Sequence, residues 1–261
     1  MTLAAIDDYV EFCTFLRKLT GIDLSQYKRP QMERRLRTFY ANKGVNSLTD
    51  AIERLRSDPA QLEPLLDRIT INVSQLWRNP EQWELIQTQL LPELAQEDQV
   101  RAWSAGCSYG AEAYTLATIC HVALPGKRVS IQGTDIDRRM VERARLGVFS
   151  QDDARTAPEK LMNIGFDRVQ EGWRAKLNLR AIARFDVGDL LQMRLRPATY
   201  DLILCRNTVI YFAEPIRDEL HARLADAVRP GGFLVIGSTE RVSNPSALGL
   251  AMKHPFIYRK A

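Results

Sequence analysis

Through the first seventy or so residues, apolar side chains recur at helical spacing; from Val100 onward they gather into short runs that alternate with amphipathic stretches. Tyr9, Phe12, Phe15, Leu16 and Leu19 predict a first helix that stops at Gly21, the residue type best able to close a helix in the left-handed conformation. Met32, Leu36, Phe39 and Tyr40 fall on one face of a second helix, with Arg34 and Arg37 roughly opposite. A third carries Leu48, Ile52 and Leu55 behind a capping Ser47 or Asn46 and breaks at Pro59. Beyond Val100 the candidate strands are VRAWSA, VSIQGTD, ARFDVGD, YDLILCR, GFLVIGS and FIYRK, and the candidate helices AEAYTLATICHVAL, DRRMVERARLG and PIRDELHARLADAV. The last of these opens on Pro215, buries Ile216, Leu220, Leu224 and Val228, and turns at RPGG.

This alternation predicts an α/β fold with a mostly parallel sheet and helices on both faces, preceded by an all-α domain. The expected boundaries are 1–70 for the helical domain and 71–261 for the sheet domain. One stretch departs from the rhythm. In GWRAKLNLRAIARF, Trp173, Ala175, Leu177 and Leu179 alternate with Arg174, Lys176, Asn178 and Arg180, which predicts an exposed antiparallel strand inside a small β insertion over 158–185.

With 261 residues, 45% of them hydrophobic, the chain can build one large core or one core and a smaller companion. It has no apolar run of the roughly 18 residues that a membrane span needs, and MTLAAIDDYVEF has acids where a secretory leader has bases, so a cytoplasmic protein without membrane insertion is expected. Cys13, Cys107, Cys120 and Cys205 form no C-x-x-C pair and only three histidines accompany them, so neither a metal site nor a disulfide framework is expected. The net charge of +4 is unevenly spread: Lys28–Lys43 holds six bases against the single acid Glu33. That basic helix suits an acidic partner, or is simply a solvated face.

Chemistry concentrates in AWSAGCSYGAEAY. A strand ending at Gly106, a turn to Gly110 and a helix starting near Glu112 make the first strand-loop-helix unit of a nucleotide-type fold. The small residues leave room for a ligand at the backbone, or else merely serve the turn. There is no G-x-G-x-x-G, and Glu112 stands where a pyrophosphate would go. A carboxylate there favours an aminoacyl ligand with an ammonium group and a cationic sulfur over a nicotinamide dinucleotide. Asp135 ends the second strand about 25 residues past Gly110, where this fold class binds ribose hydroxyls; Asp137 is better placed to cap the next helix. Asp189, behind the slim Gly188, could accept an adenine amino group.

ITINVSQLWRNPEQW, AWSAGCSYGAEAY, TDIDRRMVERARLGVF, LILCRNTVIYF and RPGGFLVIGSTE, in this order, resemble the successive blocks of the chemotaxis receptor methyltransferases, the CheR family. The resemblance implies a Rossmann-like S-adenosylmethionine-dependent methyltransferase that esterifies receptor glutamates and releases S-adenosylhomocysteine. It implies cofactor contacts from Asn72, Ser74, Arg78, Glu112, Asp135, Asp189 with Leu190, and Asn207 with Thr208, and a tyrosine near the transferred methyl, Tyr211. Ala111 and Ala113 replace family Glu and Pro residues, Trp77 stands for a Phe or Tyr, and Asp189 for an Asn.

Such a reaction needs no general base, because a glutamate side chain, with an unperturbed pKa of about 4.3, is already an anion at neutral pH. Alignment and removal of water remain. Arg78 and Tyr211 are the expected groups to orient the incoming carboxylate, with a surface pair to Glu81 and a core aromatic as their plain alternatives. Arg34, Arg37 and Arg35 are expected to dock the acidic cytoplasmic helices of chemoreceptors. A monomer that binds no nucleic acid is expected. The alternatives are a non-catalytic S-adenosylmethionine-binding or receptor-interaction module, and a methyltransferase of another substrate class.

Overall fold

The computed structural model describes residues 7–70 and 74–261. The chain divides into two compact units, residues 1–72 with 211–216, and residues 73–210 with 217–261.

In the smaller unit, α1 (Asp8–Thr20), α2 (Arg29–Ala41), α3 (Leu48–Ser57) and α4 (Leu62–Thr70) enclose Phe12, Leu16, Leu36, Tyr40, Leu48 and Leu65. Gly21 closes α1 at φ 81°, and the Ser47 hydroxyl accepts from the Asp50 N–H to cap α3. Leu19, read as part of the buried face, is 48% exposed.

The larger unit is built on a sheet of β1 (Gln99–Ala105), β2 (Arg128–Asp135), β6 (Ala183–Val187), β7 (Tyr200–Cys205), β8 (Val228–Ile236), β9 (Leu250–His254) and β10 (Ile257–Lys260). Their order is β6-β2-β1-β7-β8-β10-β9. The pairings from β6 to β8 are parallel, and β10 is antiparallel to both of its neighbours. Chain order reverses beside β1, so its C-terminal end is a switch point, where open α/β sheets leave a crevice for ligands.

Helices connect the strands: α5 (Pro80–Leu85) and α6 (Leu91–Leu94) precede β1, α7 (Ala111–Ala123) follows it, and α8 (Arg138–Leu146) follows β2. The α7 helix shows almost no amphipathicity because it is buried nearly all round, from Ala111 to Cys120. All four cysteines are buried. No helix among the described residues is long and apolar enough to cross a membrane.

A second sheet joins β3 (Val148–Ser150), β4 (Phe166–Val169) and β5 (Gly172–Ala175) in the order β3-β5-β4, all antiparallel. Helix α9 (Glu159–Gly165) precedes β4, and α10 (Leu177–Ile182) follows β5. The expected long strand over GWRAKLNLRAIARF is therefore β5, then a helical turn and a half, then the start of β6. Period-two alternation fits only its first residues: Leu177 is 75% exposed while Leu179 is fully buried. Helix α11 (Glu214–Ala227) enters β8 directly through RPGG.

His221 on α11 is 1% exposed, and neither ring nitrogen has a hydrogen-bond partner. Burial first, and Arg217 second, lower its pKa from 6.5 to about 4, with Asp218 opposing. The folded unit thus holds a neutral ring that the unfolded chain protonates, so stability is full above pH 6.5 and falls as pH drops towards 4. The loss should be about 3 kcal/mol. Denaturant unfolding followed between these pH values should show it in the native protein and not in His221→Leu.

Candidate active site

The β1–α7 connection is shaped by backbone. Gly106 and Cys107 both donate to the Thr134 carbonyl, at 2.8 and 3.0 Å, and Gly110 donates to the Cys107 carbonyl at 2.9 Å. Gly106 (φ 83°) and Gly110 (φ 86°) both take left-handed conformations. The Cβ direction of each is closed by neighbouring protein atoms. A Cβ on Gly106 would meet Thr208 Oγ1 at 2.3 Å, and one on Gly110 would meet the Ala144 Cβ at 2.9 Å and the Phe185 ring at 3.2 Å. The small residues serve the turn and the close approach of neighbouring elements.

Two carboxylates, Asp135 and Glu112, stand at this edge of the sheet. Asp135 accepts from the Ser108 N–H at 2.7 Å on one oxygen and from the Asp137 N–H at 3.0 Å on the other. A carboxylate can accept about four hydrogen bonds, so Asp135 keeps acceptor capacity beyond its backbone donors. Burial raises the Asp135 carboxyl above its ordinary pKa, against these backbone donors. Asp137 caps α8 through the Arg139 N–H at 3.0 Å, as expected.

Glu112 sits in the first turn of α7 and accepts from the Ser104 hydroxyl at 2.8 Å. Its other oxygen meets Arg206 Nη1 at 3.2 Å. Burial raises its pKa, and Arg206 is the main opposing influence. Because guanidinium keeps its proton at any ordinary pH, Arg206 is a fixed cation beside this carboxyl and favours its ionised form.

Arg206, absent from the sequence-based site, is its central cross-link. It is 6% exposed. Nε donates to Gln82 Oε1 at 2.8 Å, and Nη2 donates to the Arg78 carbonyl at 2.7 Å and to Asn79 Oδ1 at 3.2 Å. The Trp83 ring lies 5.0 Å from its guanidinium carbon. Arg78 is half-buried between Trp77 (φ 54°) and Asn79 (φ 58°), two left-handed non-glycine residues. Trp77 is a core residue, packed edge-on against Phe166, and its N–H donates to Thr115 Oγ1.

A second unforeseen residue is Glu240, 5% exposed. Its carboxylate accepts from the N–H groups of Gly237 at 2.6 Å, Asn207 at 3.0 Å and Val209 at 3.1 Å, which fixes the loop after β7 with Asn207 at φ 58°. Burial raises this carboxyl as well, against the three donors. Thr208 Oγ1 lies 3.3 Å from the Arg206 carbonyl.

Asp189 uses a side-chain oxygen to accept from the Leu191 N–H at 2.8 Å, closing its own turn. Leu190 is buried, and Arg223 donates to its carbonyl at 3.0 Å and to that of Leu191 at 2.7 Å. The Ser74 carbonyl accepts from the Tyr109 hydroxyl. Ser74, Arg78, Glu112, Asp135, Asp189, Leu190, Asn207 and Thr208 thus belong to the larger unit; Asn72 lies outside the described residues, and Tyr211 groups with the helical unit. A charged residue bounding an apolar run, as in LILCRN and VIGSTE, is the signal that could have pointed to Arg206 and Glu240.

Comparison with known families places the chain. The family described as "CheR methyltransferase, SAM binding domain" matches residues 72–254, and "CheR methyltransferase, all-alpha domain" matches residues 7–70. The chain belongs to the CheR methyltransferase family. It is similar to the chemotaxis protein methyltransferase of Listeria innocua, 31% identical over 97% of each chain. It is also similar to chemotaxis protein methyltransferase 1 of Pseudomonas aeruginosa (28% identical, 92% of each chain) and to the chemotaxis protein methyltransferase of Borreliella burgdorferi (29% identical, 92% of this chain and 89% of that one).

As a CheR-family member the chain is an S-adenosylmethionine-dependent methyltransferase, and the edge fits that cofactor. Asp135 retains acceptor capacity suited to a ribose diol, and a half-buried carboxylate at Glu112 suits an ammonium group.

Replacing Arg206 by Met should leave the Glu112 carboxylate buried without its counter-ion and cost about 3–5 kcal/mol of stability in denaturant unfolding. Adding Glu112→Gln should recover a large part of that loss.

Proposed function

We propose that this CheR-family enzyme transfers a methyl group to glutamate side chains on the cytoplasmic helices of chemoreceptors. The observation that carries the reading is a sheet edge holding two half-buried carboxylates and fixed backbone donors, with no histidine among the residues that build it. Methyl esterification of a carboxylate requires charge complementarity and alignment, with no proton to remove.

In this reading Asp135 accepts from the ribose hydroxyls, Glu112 receives the ammonium group, and Asp189 with Leu190 borders the adenine. Ser74, Arg78, Asn207 and Thr208, with Asn72, complete the cradle. Bound there, S-adenosylmethionine supplies an electrophilic methyl on sulfur, which a carboxylate oxygen takes up to give the methyl ester and S-adenosylhomocysteine. Arg78 and Tyr211 orient that carboxylate: the guanidinium can present two N–H groups in a fork, and the phenol adds one donor. Neither carries charge away, so their contribution is geometric and electrostatic.

The basic face of α2 supports an acidic partner, although not uniformly. Arg37 is already bonded to Asp8 and to Glu33, each at 2.7 Å, and Arg29 to Asp7 at 2.5 Å and Glu33 at 3.0 Å. Arg34 is exposed with no ion pair recorded among the described residues. We assign the docking role chiefly to Arg34, with Arg37 contributing less because its charge is compensated within the helical unit. The protein works in the cytoplasm as a monomer in this reading.

Incubation with methyl-labelled S-adenosylmethionine and a receptor cytoplasmic fragment should give label released by base as volatile methanol. Label that resists base would mean nitrogen or carbon methylation and would sink the reading. Arg78→Ala should lower kcat about 100-fold or more while cofactor affinity, measured by calorimetry, changes several-fold at most.

A further inference from the structure

We infer that Arg35 is a positioning residue for Tyr211, and that the helical unit therefore sets the turnover rate as well as offering charge to the receptor. The inference rests on the reading of Tyr211 as a carboxylate-orienting residue.

Tyr211–Ile216 follows the Asn207 loop directly, yet clusters with the helical unit. The backbone on both sides of the Tyr211 side chain is tied there. The Lys28 N–H donates to the Tyr211 carbonyl and the Ala213 N–H donates to the Gln26 carbonyl, each at 2.9 Å. Tyr27 and Phe212 form an antiparallel bridge, and their rings meet edge-on at 5.1 Å. Phe212 is 6% exposed. A two-residue ladder anchored by an aromatic pair fixes the backbone of Tyr211 and leaves its ring to be placed by whatever lies against it.

What lies against it is Arg35, with the guanidinium carbon 5.3 Å from the ring centroid. Arg35 differs from its neighbours on α2. Arg29 and Arg37 are ion-paired and Arg34 is exposed. Arg35 is half-buried, forms no ion pair among the described residues, and keeps its Nη1 buried with no hydrogen-bond partner. Burial pulls its pKa down, Tyr211 opposes this, and Arg68 adds to it. A guanidinium that has given up water without gaining a carboxylate is stabilised by the face of an aromatic ring. The same contact holds the ring in one orientation and so fixes the direction of its hydroxyl. Misplacement of an orienting group by an ångström is enough to cost about 100-fold in rate.

A docking charge and a positioning plate give different kinetics. Arg35→Met keeps the stem and removes the charged plane; Arg35→Lys keeps the charge and removes the plane. Positioning predicts that kcat falls at least 10-fold in Arg35→Met and measurably in Arg35→Lys, while KM for the receptor fragment stays within about 3-fold of wild type. The Tyr211 resonance of ring-labelled protein, assigned by its loss in Tyr211→Phe, should shift in both variants without substrate. If Arg35→Lys behaves as wild type and Arg35→Met raises KM alone, or if the Tyr211 resonance stays put in both, Arg35 is a docking charge and the inference fails. Should Tyr211→Phe turn over at the wild-type rate, the reading of Tyr211 falls with it, whereas base-labile transfer by the wild type would stand.

Discussion

Arg206 has surrendered almost all of its water, and a bare guanidinium in a protein interior is tolerated only when each face and edge meets something that replaces that water. Here Glu112, Gln82, the Arg78 carbonyl, Asn79 and the face of Trp83 do so. The consequence is geometric. Three pieces of chain far apart in sequence, namely the segment before α5, the first turn of α7 and the end of β7, must converge on one cation. Those are the pieces that bring Arg78, Glu112 and Asn207 to the same edge of the sheet. Glu240 does the complementary work with the opposite charge, by collecting three backbone N–H groups and freezing the Asn207 loop. The site is thus held by two buried ions of opposite sign, neither of which needs to touch a ligand.

This division explains what the sequence disclosed and what it withheld. The positions of Asp135 and Glu112 were legible because the first ends a strand and the second opens a helix after a glycine turn, which sets both at one end of the sheet. The α/β architecture with its leading helices was legible because apolar period changes at Val100. Arg206 and Glu240 were not, because they are held by Gln82 and Glu112 in the one case and by Asn207 and Val209 in the other, and no spacing in a linear chain encodes a through-space pair. The glycines of AWSAGCSYG were recognisable as special, and the structure adds what a sequence does not show: Thr208, Ala144 and Phe185 close in on the positions a Cβ would take. The stretch after Trp173 misled because two or three alternating residues suffice to imitate a strand, and only the burial of Leu179 against the exposure of Leu177 separates helix from strand.

Charge on the helical unit shows a similar gap between composition and structure. Six bases in sixteen residues suggest a uniform positive face. Folding spends the charge unevenly: Arg29 and Arg37 staple α2 to Asp7, Asp8 and Glu33, leaving Arg34 to solvent and Arg35 to a tyrosine ring. A surface that looks like one electrostatic patch is three kinds of arginine with three kinds of work.

The placement of β10 between β8 and β9 has a bearing on how the fold is reached. The outer strand β9 precedes β10 in the chain but, among the described residues, pairs with no strand other than β10. β9 therefore enters the sheet only through β10, the strand that follows it and that lies along β8. Until β10 is seated, Phe233 and Val235, fully enclosed in the finished protein, lack the strand that flanks them on that side.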